Sequence, residues 1–274
     1  MSERILLITG CSSGIGHDAA HGLRARGWRV FASCRKPDDC DRLRAEGFES
    51  PLIDYADPAS VETGLAEVLA ATDGRLDALF NNGAHALPGL LEDVPRDGLA
   101  ALFEVNLLGW HQLSRAAIPA LRATGRGRIV NCSSVLGIVP FTWRGAYVAS
   151  KFAVEGWSDV LRMELRETGP DVILIQPGPI RTPFRRNTIP HFERWIDWRG
   201  SARRAEYEGK MDALYGKAPS DRFELPPSAV TAALVRALED PRPRARYRVT
   251  VPTRAAEVMR RLLPTRARDR LLGG

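Results

Sequence analysis

This sequence has few cysteines and lacks any long hydrophobic run. No stretch of about eighteen consecutive apolar residues occurs in the 274-residue chain, so we expect no transmembrane helix. Residues 1–4 lead into a strand pattern without the features of a signal peptide, and we therefore expect a cytoplasmic protein. The four cysteines, Cys11, Cys34, Cys40 and Cys132, have neither metal-ligand nor disulfide-framework spacing, which predicts reduced, structural thiols and no metal site.

A concentrated charge of one sign is also missing. Lys and Arg number 39 against 33 Asp and Glu, and the arginines are spread over the whole chain without a known DNA-reading motif. We expect a solvated basic surface and no nucleic-acid partner. The chain is 44% hydrophobic and has no repeat or low-complexity linker, which predicts a single domain over residues 1–274.

Predicted strands and helices alternate along the chain. The strand segments are short, mostly apolar runs at residues 4–9, 28–34, 51–54, 76–80, 128–134, 171–176 and 246–251. Helical patterns separate most of them, including one from about Arg96 to Arg122 with Asn106 in its middle. Right-handed crossovers then predict an α/β fold: a doubly wound, Rossmann-like parallel sheet with helices on both faces.

A glycine-rich turn, Gly10-Cys11-Ser12-Ser13-Gly14-Ile15-Gly16, joins the first strand to the first helix. Such a turn lets backbone N–H groups approach a pyrophosphate, and the helix N-terminus adds partial positive charge. Because the spacing is not G-x-G-x-x-G and tight turns need glycine anyway, a purely structural turn is the alternative.

Tyr147 and Lys151 lie four residues apart in a helical pattern. On a helix they share a face, and a cation beside a phenol favours the phenolate and lowers the pKa of the tyrosine. We therefore predict that Tyr147 is a general acid or base. For these two residues alone, a surface pair that happens to have this spacing is the alternative.

Several motifs occur together in the order and spacing of one enzyme family. They are Thr9-Gly10-x-x-x-Gly14-Ile15-Gly16, Asn81-Asn82, Asn106, Ser134, Tyr147-x-x-x-Lys151 and Pro177-Gly178. Over residues 5–182, and again at the last strand, the chain resembles the short-chain dehydrogenases/reductases, and its glycine loop is similar to that of NADP-dependent hydroxysteroid and retinol reductases. The resemblance implies hydride transfer between a nicotinamide cofactor and a carbonyl/alcohol pair, with a small and hydrophobic molecule as substrate.

The resemblance also implies a role for each matched residue. Tyr147 would donate the proton to the carbonyl oxygen, Lys151 would lower the pKa of Tyr147 and bind the nicotinamide ribose, and Ser134 would hydrogen-bond the substrate oxygen. Asn106 matches the helix asparagine that supports a water-linked proton path to the lysine. One departure is the order Asn81-Asn82-Gly83-Ala84, where the family usually has Asn-Asn-Ala-Gly.

The cofactor expected from the sequence is NADP(H). NAD enzymes commonly place an acidic residue after the second strand, whereas this chain has Cys34, followed by Arg35 and Lys36, whose charges suit a 2′-phosphate. The alternative is that the basic pair begins a solvated helix. The residues expected to contact the cofactor are Gly10, Ser12, Ser13, Gly14, Ile15, Gly16, Arg35, Asp54, Asn82, Tyr147, Lys151, Pro177, Gly178, Ile180 and Thr182.

Two C-terminal segments are expected to lie outside the regular strand–helix alternation. Arginines alternate with aromatic residues over residues 180–225, which indicates a lid that covers a substrate cleft. Its arginines, among them Arg181, Arg185 and Arg186, suit either an anionic substrate or a solvated helix face, and we favour the second. Residues 253–272 read as one basic amphipathic helix that packs on the protein or on a partner subunit rather than on a membrane.

The sequence also bears on the oligomeric state and on two alternative functions. A homodimer is expected, because the helices bearing Asn106 and Tyr147 resemble those that pair across a two-fold axis in this family. Small residues in those helices, Ala116, Ala117, Ala149 and Ala153, permit close approach. A non-catalytic cofactor-binding regulator is disfavoured by the complete set Asn106, Ser134, Tyr147 and Lys151, and an isomerase or lyase by the absence of an additional substrate domain.

Overall fold

Six parallel strands form one sheet in the order β2-β1-β3-β4-β5-β6 in a computed structural model that describes residues 3–216 and 222–273. The strands are β1 (Arg4–Ile8), β2 (Trp28–Ala32), β3 (Ala78–Asn81), β4 (Arg128–Cys132), β5 (Asp171–Gln176) and β6 (Arg246–Arg248). In the centre, Leu6 pairs with Val30 on one side and with Ala78 on the other. The predicted α/β class with a doubly wound parallel sheet is confirmed.

Helices precede or follow every strand. They are α1 (Gly14–Arg24), α2 (Pro37–Ala45), α3 (Pro58–Ala70), α4 (Arg96–Phe103), α5 (Gly109–Ala123), α6 (Gly145–Glu164), α7 (Phe184–Asn187), α8 (Ile189–Trp195), α9 (Arg204–Glu208), α10 (Met211–Leu214), α11 (Ser228–Glu239), α12 (Val251–Leu262) and α13 (Thr265–Leu272). Short 3₁₀ segments span Leu91–Asp93 and Val135–Gly137. Residues 217–221, inside the predicted lid, lie outside the described residues.

The main hydrophobic core lies between the sheet and its helices. Residues 5–8 of β1 are all buried, as expected for a strand covered on both faces. α1 packs beside α11, and α3 packs beside α5. The buried side of α5 follows helical spacing, with Trp110, Leu113, Ala117 and Leu121 fully buried, so the amphipathic pattern of the sequence positions the helix.

The strand predicted at residues 51–54 is wrong. This segment forms only two isolated bridges beside β2, Phe31 with Glu49 and Cys34 with Leu52. Pro51 has no N–H to donate, which interrupts the ladder between these bridges. The sheet therefore ends at β2, next to the residues predicted to select the cofactor.

The long helix predicted from about Arg96 to Arg122 contains one wide turn. α4 passes into a π-helical turn at Glu104–Leu108, which continues directly into α5. Asn106 is fully buried within this turn. π-turns within α-helices often lie at functional sites.

The described part of the predicted lid contains α7 to α10 and has a hydrophobic cluster of its own. Tyr207 is fully buried there, together with Phe192 and Leu102. The hydroxyl of Tyr207 donates to Asp93 at 2.7 Å and accepts a hydrogen bond from the backbone N–H of Leu90 at 3.0 Å. These hydrogen bonds attach the predicted lid to the segment that follows β3.

The single C-terminal helix predicted at residues 253–272 is two helices, α12 and α13. Pro264 lies between them, and the preceding Leu263 has the extended backbone (ψ 134°) that a following proline favours. Within residues 3–216 and 222–273, no helix combines the length and the apolar character needed to span a bilayer.

Candidate active site

The glycine-rich turn touches the loop after β3 at the carboxyl edge of the sheet. The sheet order reverses between β1 and β3, which is where open α/β sheets bind ligands. Gly10 has a φ of +69°, and a Cβ on it would lie 2.6 Å from the Cα of Gly83. Gly14 has a φ of +59°, and its Cβ would lie 3.0 Å from the side chain of Thr182. The fold thus brings cofactor residues predicted from distant parts of the chain to one place.

Thr9 fastens these two loops together, a role that the sequence analysis missed. Its Oγ1 accepts hydrogen bonds from the backbone N–H groups of Asn82 at 3.0 Å and Gly83 at 3.2 Å. The side-chain amide of Asn82 donates to the carbonyl of Thr9 at 3.0 Å and to that of Gly10 at 3.3 Å. Asn82 therefore holds the glycine-rich turn in shape.

The inverted order Gly83-Ala84 fits the backbone of this loop. The carbonyl of Gly83 accepts a hydrogen bond from the indole Nε1 of Trp110 at 2.8 Å. A Cβ on Gly83 would lie 3.2 Å from the ring of Tyr55, and Ala84 does not have a positive φ. Neither residue needs an unusual backbone, so the departure from the family pattern leaves the loop intact.

A buried polar network lies behind this loop and was also missed. The fully buried side-chain amide of Asn81 donates to Asn131 at 2.8 Å and to Ser114 at 2.9 Å, and its Oδ1 lies 2.7 Å from the hydroxyl of Tyr55. Asn131 in turn donates to Ser158 at 2.9 Å. Because buried polar groups need partners, this network fixes the relative placement of β3, β4, α5 and α6.

The residues predicted to select NADP(H) lie just beyond β2. Cys34 is buried, whereas Arg35 and Lys36 are exposed. Among the described residues, Arg35 has no hydrogen bond or ion pair. Arg42 on α2 donates to the carbonyl of Ser12 in the glycine-rich turn at 2.6 Å, and the sequence analysis did not single it out.

Glu46 links α1 to α2 beside this region. His17 and His21, one turn apart on α1, each place Nε2 next to the same Glu46 oxygen, at 2.8 and 2.9 Å. Arg42 contacts the other oxygen at 3.1 Å. These are residue types that metals bind. Hydrogen bonds from His21 and His17, together with the charge of Arg42, lower the pKa of the Glu46 carboxyl.

Four other predicted cofactor residues, Asp54, Pro177, Gly178 and Ile180, lie against other parts of the protein. Asp54 accepts a hydrogen bond from the N–H of Ala56 at 3.0 Å, so it forms a turn of its own. The carbonyl of Pro177 accepts from the N–H of Val135 at 2.7 Å. A Cβ on Gly178 would lie 2.2 Å from Thr250, and Ile180 forms a bridge with Leu225.

Tyr147, Ser134 and Lys151 meet at the carboxyl end of β4. Lys151 and Tyr147 are buried on one face of α6, with the Lys151 Nζ 5.5 Å from the centre of the tyrosine ring and 4.6 Å from that of Trp110. The Nζ donates to the carbonyl of Cys132 at 2.8 Å. Ser134 accepts a hydrogen bond from the N–H of Leu136 at 3.1 Å, which leaves its hydroxyl hydrogen available.

Burial dominates the electrostatics of this group. It lowers the pKa of Lys151 to about 8, with Cys132 and Glu155 opposing the shift. Burial also raises the pKa of Tyr147 above the usual tyrosine value, and a hydrogen bond with Ser134 opposes it. The predicted net lowering of the Tyr147 pKa does not occur in the protein alone, because the desolvation of the phenol outweighs the influences that lower it.

Asn106 is committed to protein partners. Its Nδ2 donates to the carbonyl of His85 at 2.9 Å and to the Ser150 hydroxyl at 3.1 Å, and its Oδ1 accepts from the N–H of His85 at 3.1 Å. Ser150 lies next to Lys151 on α6. Asn106 thus holds the loop after β3 against the helix that carries Tyr147.

His85 links this loop to the lid. Its ring stacks on that of His191 in α8, with ring centres 3.7 Å apart and planes 13° from parallel. Burial, followed by the charges of His191 and Arg35, lowers the pKa of His85 to about 3. Its Nδ1 is buried without a hydrogen-bond partner among the described residues. On the same side of the lid, the Phe184 ring lies 5.7 Å from that of Tyr147.

Comparisons with known proteins find similar chains among oxidoreductases. A family model described as short chain dehydrogenase matches residues 4–192. The uncharacterized oxidoreductase YbbO of Escherichia coli K12 is 42% identical over 272 residues, which cover 99% of this chain and 95% of that protein. The 17-beta-hydroxysteroid dehydrogenase type 6 of Homo sapiens is 30% identical over 283 aligned positions, 99% of this chain and 88% of that protein. A solved short-chain dehydrogenase from Streptomyces avermitilis matches with a TM-score of 0.79 at 28% identity, covering 99% of this chain and 96% of that one.

Proposed function

Because this chain belongs to the short-chain dehydrogenase/reductase family, we propose that it is an NADP(H)-dependent oxidoreductase acting on the carbonyl/secondary alcohol pair of a hydrophobic small molecule. The observation that carries the proposal is the meeting of Tyr147, Ser134 and Lys151 beside the glycine-rich turn. This places a proton donor (Tyr147), a second hydroxyl (Ser134) and a buried cation (Lys151) in one site.

The glycine-rich turn suits a dinucleotide. Side chains at Gly10 and Gly14 would crowd neighbouring loops, so the backbone is partly exposed at these two positions near the N-terminus of α1. Backbone N–H groups and the positive end of a helix dipole together favour a pyrophosphate. Gly10, Ser12, Ser13, Gly14, Ile15 and Gly16 would hold it, with Asn82 positioning the turn and Thr182 closing it from the lid side.

The chemistry of this chain's own residues follows from their burial. A bound nicotinamide cofactor supplies the hydride. Tyr147 stays protonated at neutral pH because burial raises its pKa, so it can donate a proton to an oxygen that becomes an alkoxide. Ser134 adds a second donor to the same oxygen, and the positive charge of Lys151 favours the phenolate that remains. Asn106 acts as a positioning residue for this group.

The preference for NADP(H) rests on the region after β2. No carboxylate stands where NAD enzymes commonly have one, and the exposed Arg35 is unpaired among the described residues. A guanidinium can hold a 2′-phosphate by charge-assisted hydrogen bonds, and Lys36 adds a second cation. We assign α7 to α10 as the lid over the substrate side of this site.

The test combines a catalytic variant with a cofactor variant. Tyr147→Phe should lower kcat by at least roughly a hundredfold in the NADPH-dependent reduction of ketones, aldehydes and steroids, while NADPH affinity measured by its fluorescence stays near that of the parent. Near-normal turnover in Tyr147→Phe would show that the proton donor is assigned wrongly. If the parent binds NADPH but reduces no carbonyl, a non-catalytic cofactor-binding regulator becomes the better description.

For the cofactor, kcat/KM with NADPH should exceed that with NADH by roughly ten- to a thousandfold, since one or two charge-assisted contacts contribute on this scale. Arg35→Ala should remove most of the difference. The matched control is Arg126→Ala, which removes an exposed arginine just before β4, at the amino end of the strands and away from Arg35. Equal values in the parent, or no loss with NADPH in Arg35→Ala, would exclude the preference.

A further inference from the structure

A cavity of about 220 Å³ lies between the lid and the start of α6. Its walls are largely aromatic and aliphatic, and include Trp143, Phe192 and Tyr207. Three cations also line it, Arg144, Arg185 and Lys210, and none of its described lining residues is acidic. The cavity therefore combines an apolar interior with a concentration of positive charge.

These three cations form no ion pair with a carboxylate in the described residues, in contrast to two arginines of α9 and the turn before it. Arg203 pairs with Glu92 and Glu206, and Arg204 pairs with Glu208. In the described parts of the chain, the side chains of Arg144 and Arg185 form no ion pair or hydrogen bond. The ammonium of Lys210 faces the ring of Trp143 at 5.7 Å, and its charge also helps to lower the pKa of the Glu206 carboxyl. A solvated helix face does not account for Arg144, because it is half-buried.

The position of Arg144 is electrostatically unfavourable in the protein alone. It is the N-cap residue, directly before the 20-residue helix α6, so its charge lies at the positive end of the helix dipole. Burial and the charge of Arg185 lower the pKa of Arg144. An anion in the cavity would relieve both effects.

The cavity adjoins the proposed proton donor. Arg144 precedes Tyr147 by three residues, which is less than one helical turn, or about 5 Å along α6. On the lid side, Arg185 follows Phe184, whose ring contacts that of Tyr147. Trp143 has a φ of +66°, a conformation that bulky residues rarely adopt and that is frequent at ligand sites.

We propose that this cavity binds the anionic end of the substrate: a carbonyl compound whose apolar body carries a carboxylate or a phosphate monoester, held by Arg144 and Arg185. The proposal rests on the oxidoreductase function proposed above and specifies its substrate class. Guanidinium groups suit either anion, because they offer paired donors to two oxygens. The aromatic walls suit the apolar body.

The test compares three matched aldehyde series of increasing chain length: ω-oxo carboxylates, their methyl esters and ω-oxoalkyl phosphates. With NADPH, one anionic series should exceed the esters in kcat/KM by roughly ten- to a hundredfold. Arg144→Met and Arg185→Met should reduce this ratio strongly, and Arg144→Lys should keep part of it. Arg186→Met is the matched control, since Arg186 neighbours Arg185 on α7 but does not line the cavity, and it should keep the full ratio.

A binding measurement separates this proposal from the proposed function. Long-chain alkanoates and alkyl phosphates have no reducible carbonyl, and calorimetry should detect tighter binding of one of them than of the matched alcohol, with Arg144→Met reducing the difference and Arg186→Met preserving it. Anion binding without carbonyl reduction would support the site and refute the reductase function. Reduction of the esters at the same efficiency as both anionic series would overturn the anion site while leaving the reductase function in place.

Discussion

The Nζ of Lys151 lies 2.8 Å from the carbonyl oxygen of Cys132, and the lysine is only 1% exposed. Among the described residues, the carbonyl and thiol of Cys132, two aromatic rings and the nearby Glu155 surround this ammonium in place of water. The protein therefore buries a poorly solvated cation, and this desolvation lowers the pKa of Lys151 to about 8.

Lys151→Met should stabilise the protein at pH 7, on the order of 1–3 kcal/mol, while abolishing turnover. The folded pKa is about 8 against an ordinary 10.5, so between these values the unfolded chain binds more protons and the stability of the parent rises with pH. The gain in Lys151→Met should shrink over that range, as measured by urea unfolding. A less stable variant, or a gain that does not depend on pH, would contradict this.

His85→Phe should make the protein more resistant to acid. The folded pKa of His85, about 3, lies below the ordinary 6.5, so stability is lost as the pH falls through this window. Besides burial, the charges of His191 and Arg35 disfavour protonation of His85. Arg35 and Arg194 likewise disfavour protonation of His191. Phenylalanine keeps a ring for the stack. Acid unfolding followed by circular dichroism should shift to lower pH in His85→Phe and not in His111→Phe, which changes an exposed histidine.

Gly10→Ala should damage the cofactor site, whereas Gly83→Ala should be tolerated. The first places a Cβ 2.6 Å from the Cα of Gly83 at a φ of +69°, and the left-handed conformation alone costs about 1–2 kcal/mol for an alanine. The second places a Cβ 3.2 Å from the Tyr55 ring and 3.5 Å from the backbone nitrogen of Gly10, and the latter is an ordinary van der Waals distance. We expect a lower melting temperature and weaker NADPH binding only for Gly10→Ala. Similar losses in both variants would argue against the close contact of the two loops.

A homodimer through α6 remains a prediction. The outer face of this helix exposes Ala149, Phe152, Gly156, Val160 and Met163, an apolar and partly small stripe at helical spacing. Ala117, one of the small residues expected at this interface, is instead fully buried in the core. Light scattering should give a dimer for the parent and a monomer for Gly156→Arg, with Ala45→Arg on α2 as the control for added charge. A monomeric parent at micromolar concentration would end the prediction.

The sequence predicts features that depend on local spacing. The glycine-rich turn and the pair Tyr147 and Lys151 follow from their own spacing and flanking residues, because each lies at a single strand–helix junction or on a single helix. The prediction of a strand at residues 51–54 is wrong because the hydrophobic pattern takes no account of the N–H that Pro51 lacks.

Features that depend on packing could not be predicted in this way. The stack of His85 on His191 joins residues over a hundred positions apart, and the bond between Asn81 and Asn131 spans 50. The pKa of Tyr147 is shifted up, whereas the sequence predicts a shift down, because the depth of burial is a property of the assembled fold.

The π-turn at Glu104–Leu108 determines which face of α5 points toward the sheet. Each residue advances a regular α-helix by about 100°, so one inserted residue would turn the buried face of α5 away from the sheet unless a wider turn absorbed it. Here Leu102 before the turn and Trp110 after it are both fully buried, with Asn106 between them also turned inward. Removing one residue from this segment would yield a more regular helix with its halves out of phase. A single-residue deletion there should therefore be far more damaging than most substitutions at the same positions.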